Sequence, residues 1–381
     1  MAGTFRIGRI LGVPVGIHWS LFGIGLLLTL TMAQGNLPVA HPGHDTWVYW
    51  AVGAATTAAF FATVLAHEIG HAIAARRYGV GVEGIDLWIL GGVARLSEEA
   101  PSPRAEWRIA AAGPLVSVLL TVLFGVTGVV LHAAGTTGLA TESLGWLAVV
   151  NGILALFNLL PAAPLDGGRI LAAVVWRHTG DRVLAADRAS QAGQFLGWLL
   201  IAVGVIMFLR GNGSIITAFL GWFLLTAARQ DAVATRARAA LADVTVGDVA
   251  WYGIARAPGT TDAATMLWER SRMGPVRMVA VERPNGTVAG LVTERQLWKV
   301  REGALATTAL ASVATPIERF GRADAGEPLV RALTRLHPLH PVLTVWDADQ
   351  LIGVVTPQAV DRRLDQSSPP SSAALPSAPT R

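Results

Sequence analysis

Residues 64–71 read Val64-Leu65-Ala66-His67-Glu68-Ile69-Gly70-His71, with two histidines four residues apart in an otherwise apolar run. Residues four apart share one face of an α-helix, so His67 and His71 can direct imidazole nitrogens at one metal ion. Glu68 lies about 100° around the helix from His67, where its carboxylate reaches a water molecule beside the metal without binding the ion. Two ligands and a general base are the parts of a zinc hydrolase.

The composition indicates a membrane protein with a soluble part attached. Hydrophobic residues make up 52% of the 381 residues and charged residues only 15%, whereas soluble proteins carry about 25% charged residues. The chain has no cysteine, so disulfides are excluded and zinc must be held by His and carboxylate side chains. The net charge of +4 comes from arginines around the apolar spans. This placement indicates that the arginines flank membrane helices, and it argues against a nucleic-acid-binding surface.

About six apolar stretches predict transmembrane helices, an even number that puts both termini on one side of the membrane. They lie near residues 15–32, 47–75, 109–131, 144–160, 195–209 and 215–227. The arginines of the spans and their loops fall on the side of the termini, except Arg210. By the positive-inside rule, we expect a multi-pass protein of the cell membrane with both termini and the His-Glu motif facing the cytoplasm.

Residues 82–96, between the second and third spans, predict a membrane-associated β-hairpin. Two β-prone runs are joined by Gly91-Gly92, a pair that tolerates the positive φ angles of a tight turn. An open strand edge cannot face lipid, so the hairpin must lie against protein or a wet cavity. An ordinary interfacial loop is the alternative.

The fourth span is broken by Asn158-Leu159-Leu160-Pro161-Ala162-Ala163-Pro164-Leu165-Asp166-Gly167-Gly168-Arg169. A broken helix inside a membrane protein marks a place where backbone and polar groups meet a cavity. Alone, this segment could be a helix-end turn with a capping Asp. Beside His67 and His71, Asp166 becomes the third ligand of a catalytic zinc site with one open position.

These two motifs together, HEIGH at 67–71 and NLLPAAPLDGGR at 158–169, resemble the site-2 protease family of intramembrane zinc metalloproteases. The segments GVPVGIHW at 12–19, WILGG at 88–92 and AGP at 112–114 fit the family as well. The resemblance covers residues 5–230. It implies one Zn²⁺ per chain on His67, His71 and Asp166, with Glu68 as catalytic base. It also implies that Asn158 lies near the substrate carbonyl and that the hairpin receives the substrate as an added strand.

The composition changes after residue 227. We expect a charged helical linker at 231–242, followed by two similar α/β units at 243–302 and 303–366. The units share a Gly-hydrophobic-hydrophobic-Thr strand, and their repeat of roughly 60 residues indicates paired modules. The pair resembles a tandem of CBS domains, which act as nucleotide-sensing regulators in other proteins. Residues 367–381 are rich in Ser, Pro and Ala, and we expect them to be disordered.

The resemblance to CBS domains also bears on nucleotide binding. Nucleotide-binding members carry an Asp three residues after the Thr, where it holds the ribose hydroxyls. Gln296 and Ala359 occupy those positions here. Because Gln accepts through one oxygen and Ala not at all, we expect weak or absent binding of adenine nucleotides. The pair could instead join two copies of the chain or contact the membrane part.

The expected protein is therefore a polytopic α-helical membrane protein plus a soluble α/β module. Residues 1–230 form an intramembrane zinc endopeptidase that cleaves transmembrane segments of other membrane proteins, and the CBS pair regulates or dimerises it. A CBS-regulated transporter or channel is the competing class, although the spans show no duplicated half. A catalytically inactive scaffold is a third, although Glu68 is intact.

Overall fold

A computed structural model of the chain describes residues 4–89, 91–211, 215–337 and 339–367. The chain divides into two compact units, one up to Thr235 and the other from Arg236 onwards. The predicted tail after residue 367 lies outside the described residues, as does Leu90 of the predicted hairpin.

Long apolar helices make up most of the first unit. Within the described residues, five helical segments are long and apolar enough to cross a membrane: Ser20–Ala40, Thr46–Arg77, Pro103–Ala133, Leu139–Asn158 and Arg182–Leu209. The helices are α1 (Ser20–Thr31), α2 (Leu37–Ala40), α3 (Thr46–Arg77), α4 (Pro103–Ala133), α5 (Leu139–Asn158), α6 (Asp166–Thr179), α7 (Arg182–Leu209) and α8 (Ile215–Ala240). A π-helical turn at Met32–Asn36 joins α1 to α2.

The first and last predicted spans differ from these five segments. The residues predicted to open the first span form a strand, Val13–His18, because Val15 and Ile17 pair with a neighbouring strand instead of continuing into the helix. The sixth predicted span, 215–227, forms the first half of α8. Its apolar part is shorter than the roughly 20 residues that a span needs, so a sixth span stays a prediction.

A four-stranded sheet lies against the helices in the order β1 (Thr4–Ile10), β2 (Val13–His18), β3 (Val82–Trp88) and β4 (Gly91–Leu96). β2 pairs parallel with β3, and the other two pairings are antiparallel. Buried residues of β2, β3, α1 and α3 form a common core: Val13, Leu21, Val64, Ala72, Ile85 and Leu87. The sheet is therefore packed beside the helix that carries the His-Glu motif.

The placement of the turn between β3 and β4 in Gly91-Gly92 is wrong. Gly91 pairs with Trp88 and Gly92 with Leu87, so both glycines belong to β4 and the turn comes before them in the chain. Gly92 instead meets Glu68 of α3, since a Cβ at Gly92 would lie 2.8 Å from the Glu68 carboxyl carbon. Gly92 allows β4 and α3 to approach each other closely. A Gly-Gly pair in a sequence can indicate either a tight turn or such a close approach, and the pattern alone does not separate the two.

In the part of the second unit that the structure describes, the strands form two four-stranded sheets. Its strands are β5 (Trp251–Tyr252), β6 (Ala255–Pro258), β7 (Met278–Glu282), β8 (Val288–Thr293), β9 (Thr315–Pro316), β10 (Gly321–Asp324), β11 (Leu343–Asp347) and β12 (Gln350–Val355). Its helices are α9 (Val246–Val249), α10 (Ala263–Trp268), α11 (Glu294–Leu297), α12 (Leu310–Val313), α13 (Leu329–Leu333) and α14 (Pro357–Ser367).

The two sheets exchange their opening strands. One sheet has the order β6-β7-β8-β9 and the other β10-β11-β12-β5. β5 belongs to the start of the first repeat yet pairs with β12 of the second, while β9 belongs to the start of the second repeat and pairs with β8 of the first. Neither repeat can close its sheet without the other, which explains why the two occur in tandem.

Candidate active site

Three ligand atoms converge at the end of α3 and the start of α6. The Nε2 atoms of His67 and His71 lie 3.2 Å apart. Asp166 Oδ2 lies 3.2 Å from Nε2 of His67 and 3.3 Å from Nε2 of His71. Both histidines are buried, and Asp166 is largely so. Helix geometry brings the two histidines together. The break after α5 brings Asp166, which is 99 residues after His67, next to them.

These spacings fit zinc. In a tetrahedral site with ligands about 2.0–2.1 Å from the metal, neighbouring ligand atoms lie about 3.3 Å apart. The three observed distances agree with that value. Two imidazoles and one carboxylate are also a donor set that catalytic zinc uses, with a further position left for water or substrate.

Residues of α4 contact the Nδ1 atoms of both imidazole rings, on the side away from the candidate ligand atoms. His71 Nδ1 lies 2.7 Å from the carbonyl oxygen of Ile109, which can only accept, so Nδ1 carries the proton and Nε2 presents a lone pair. His67 Nδ1 lies 2.9 Å from the hydroxyl of Ser117. Such outer contacts set the tautomer and orientation of metal-binding histidines. Sequence reasoning missed Ser117 and Ile109, because nothing in their type or spacing indicates a metal site.

Asp166 is available as a charged ligand. Burial would raise the pKa of its carboxyl, but the neighbouring His67 and His71 rings outweigh burial and hold that pKa below its usual range. The residue is the first of α6, and Gly167 and Gly168 behind it lie against the backbone of the preceding turn. Side chains at those two glycines would push α6 away from α5 and carry Asp166 with it.

Glu68 lies beside the three ligands and contacts the sheet. The backbone N–H of Ala94 in β4 donates to Glu68 Oε2 at 3.1 Å. Since Gly92 lacks a Cβ, β4 can lie directly over this carboxylate. Glu68 is buried and does not belong to the ligand group, which consists of His67, His71 and Asp166. Its position suits a proton acceptor next to the metal.

Gly113 of α4 faces the gap between the histidines. A Cβ at Gly113 would collide with His71 Nε2 and lie 2.6 Å from His67 Nε2. The sequence offers the Ala112-Gly113-Pro114 motif, but it suggests only close helix packing there. In the structure, the absence of a side chain at Gly113 leaves the space beside both Nε2 atoms open.

A cavity of about 260 Å³ opens onto these residues. Its wall combines α3, α5, the start of α6 and β4, including Leu96, Asn158 and Arg169. Asn158 is the last residue of α5 and is part-buried on the same wall as Asp166. The cavity thus joins the three candidate metal ligands, Glu68 and a strand edge in one space.

Comparison with known proteins shows that the chain is similar to zinc metalloproteases. The model of peptidase family M50 matches residues 55–135 and 123–204. A Mycobacterium tuberculosis protein named as zinc metalloprotease Rip3 is 38% identical over 374 residues, covering 96% of this chain and 94% of that protein. The solved site-2 protease from Methanocaldococcus jannaschii is 27% identical, covers 60% of this chain and 95% of its own, and has a TM-score of 0.42. A CBS domain protein from Streptococcus pneumoniae is 15% identical, covers 31% of this chain and 80% of its own, and has a TM-score of 0.26.

Proposed function

We propose that the chain, which belongs to peptidase family M50 and is an intramembrane zinc metalloprotease, holds its zinc ion on His67, His71 and Asp166 and uses Glu68 as catalytic base. The observation that carries this assignment is the triangle of ligand atoms, with sides of 3.2–3.3 Å, beside a buried carboxylate. The family membership and this site argue against a transporter or channel, and the intact Glu68 argues against an inactive scaffold.

The chain's own residues account for the proton transfers of peptide hydrolysis. Zinc, when bound, polarises the scissile carbonyl and makes water more acidic. Glu68 accepts the proton of the attacking water and later delivers it to the leaving amine. The N–H of Ala94 holds the Glu68 carboxylate in place. Asn158, which also lines the cavity, would donate from its amide to the substrate carbonyl.

The substrate would be a transmembrane segment of another protein that binds as a strand beside β4. A transmembrane helix uses its carbonyl groups in its own hydrogen bonds, so it must unwind before cleavage. Pairing with a strand replaces the hydrogen bonds that unwinding breaks. The N–H of Ala94 points away from β3 and toward the cavity. Since backbone groups alternate along a strand, those of Gly92 and Leu96 share this outward side. β4 therefore offers an edge on which the outward groups of Gly92 and Leu96 can pair with a substrate, on either side of the Ala94 N–H that binds Glu68.

The topology would have six spans, with α8 as the sixth. An even number returns the chain to its starting side, and the arginines near the end of α3, such as Arg76 and Arg77, mark that side as cytoplasmic. This arrangement supports a cell-membrane protein with both termini and the catalytic end of α3 toward the cytoplasm.

Residues 243–366 would act as a CBS pair that regulates the protease or joins two copies of it, with little affinity for adenine nucleotides. The Gln296 side chain is already engaged, because its Oε1 accepts from the N–H and the hydroxyl of Thr293, both at 2.8 Å. Its Nε2 donates to the hydroxyl of Thr315 at 2.9 Å. This side chain therefore has no acceptor to offer a ribose without breaking the cap of α11.

We expect calorimetry on the full-length protein in detergent to show no micromolar binding of ATP or AMP. Loss of a charge-assisted hydrogen bond costs about 1.5–3 kcal/mol, or roughly ten- to a hundredfold in affinity. Ala359→Asp, which restores a carboxylate in the second module, should recover part of that affinity. Micromolar binding by the unaltered protein would show that Gln296 and Ala359 do not limit the site.

The metal assignment is tested by Asp166→Ala. We expect the purified variant to lose zinc, measured by elemental analysis, and to lose cleavage, because only two ligands remain. The control is Asp45→Ala, since Asp45 precedes α3 without making a side-chain cap hydrogen bond, and this variant should keep full zinc. An Asp166→Ala protein with one zinc per chain would remove Asp166 from the site.

A further inference from the structure

An ion pair that the proposed mechanism does not use links α4 to α6 close to the metal ligands. Arg169 Nε donates to Glu106 Oε1 at 2.8 Å. The Glu106 side chain is 12% exposed and that of Arg169 is 37% exposed. Arg169 follows Asp166 by three residues, so it lies within one turn of the predicted ligand.

Helix α4 already holds two of the three ligands. Ser117 contacts the outer nitrogen of His67, and the carbonyl of Ile109 contacts that of His71. Asp166 has no comparable partner: within the described residues, its carboxylate makes hydrogen-bond contacts only with the two histidines. Its position therefore depends on where α6 lies relative to α4.

The Glu106–Arg169 pair is a polar contact between side chains of α4 and α6 that can set this position. Glu106 lies in the first turn of α4, three residues before Ile109, and so belongs to the stretch of α4 that holds His71. Arg169 lies in the first turn of α6, as Asp166 does. One ion pair thus joins the turn that carries the carboxylate ligand to the turn that fixes a histidine ligand.

We propose that Glu106 and Arg169 form a positioning pair that holds Asp166 against His67 and His71, so that α4 fixes all three metal ligands. The inference rests on the proposed assignment of Asp166 as a ligand. Loss of partners that orient metal ligands typically weakens metal binding by about 10–100-fold. Because either residue alone cannot form the link, removal of one should have the same effect as removal of both.

The test measures zinc affinity of the full-length protein in detergent by competition with a chelator of known affinity. The variants are Glu106→Ala, Arg169→Ala and the double substitution. We expect each single variant to bind zinc about 10–100-fold more weakly, and the double variant to be no weaker than the weaker single one. Arg169→Lys keeps the charge and should bind zinc more tightly than Arg169→Ala.

The matched control is Glu99→Ala. Glu99 pairs with Arg182 at 2.8 Å, the same distance as the proposed pair, with side chains 51% and 37% exposed. This substitution should leave zinc affinity unchanged. If an alanine variant fails to fold, the near-isosteric Glu106→Gln and Arg169→Gln give the same comparison.

Two results would overturn the proposal: single variants with zinc affinity within about twofold of the unaltered protein, or losses that multiply in the double variant as expected for independent sites. Asp166→Ala separates this failure from that of the proposed function. If Asp166→Ala loses zinc and the pair variants do not, only the positioning role fails. If Asp166→Ala keeps zinc, the ligand assignment itself fails.

Discussion

Replacement of Gly113 by Ala should abolish zinc binding and peptide cleavage together. The new Cβ would lie 2.6 Å from His67 Nε2 and closer still to His71 Nε2. Zinc bonds to imidazole nitrogens at about 2.0–2.1 Å, so the methyl group would take the space that the ion needs. Elemental analysis of the purified variant should show no zinc, and its membrane substrates should remain uncut.

The matched control for this loss is Gly152→Ala. Gly152 lies in α5, where a Cβ would meet only Thr121 atoms at 3.5 Å or more. That is an ordinary contact, so Gly152→Ala should keep its zinc and activity. A Gly113→Ala protein that binds zinc normally would show that the metal does not lie between the two histidines.

Glu68→Gln should keep its zinc and lose cleavage by a factor of about 10²–10⁴, the usual contribution of a general acid–base. The Gln oxygen can still accept from the Ala94 N–H, so the side chain should keep its place, but an amide cannot take up the proton of water. Proteomics that compares cells with the unaltered protein and with Glu68→Gln should reveal membrane proteins that accumulate uncut. Full turnover by this variant would exclude Glu68 as the base.

Because uncut substrate should stay bound to Glu68→Gln, this variant also tests the docking edge. A photo-crosslinking residue at Leu96, on the cavity wall, should capture the accumulated substrate. The same residue at Phe5, on the opposite edge strand β1 and 62% exposed, is the control and should capture none. Equal capture at both positions would contradict strand addition to β4.

The sequence allowed His67, Glu68 and His71 to be predicted as a group because their mutual geometry is local. A helix places residues four apart on one face whatever surrounds it, so HEIGH implies converging imidazoles before any packing is known. The helix break within 158–169 could also be predicted from the sequence, because prolines and glycines interrupt helices locally. In the structure, α5 ends at Asn158 and α6 begins at Asp166. Composition and apolar length likewise indicated the helical membrane unit, in which the part of the chain that the structure describes has five helices long and apolar enough to cross a membrane.

Only the tertiary structure decided what depends on contacts between distant segments. The distance from His67 to Asp166, 99 residues apart, follows from how α4, α5 and α6 pack. The same packing brings Gly92, a predicted turn residue, against Glu68, and it brings Gly113 against the Nε2 atoms of both histidines. Local patterns give a residue's conformation, but which side chain fills the space opposite it is determined by the packing of the whole chain.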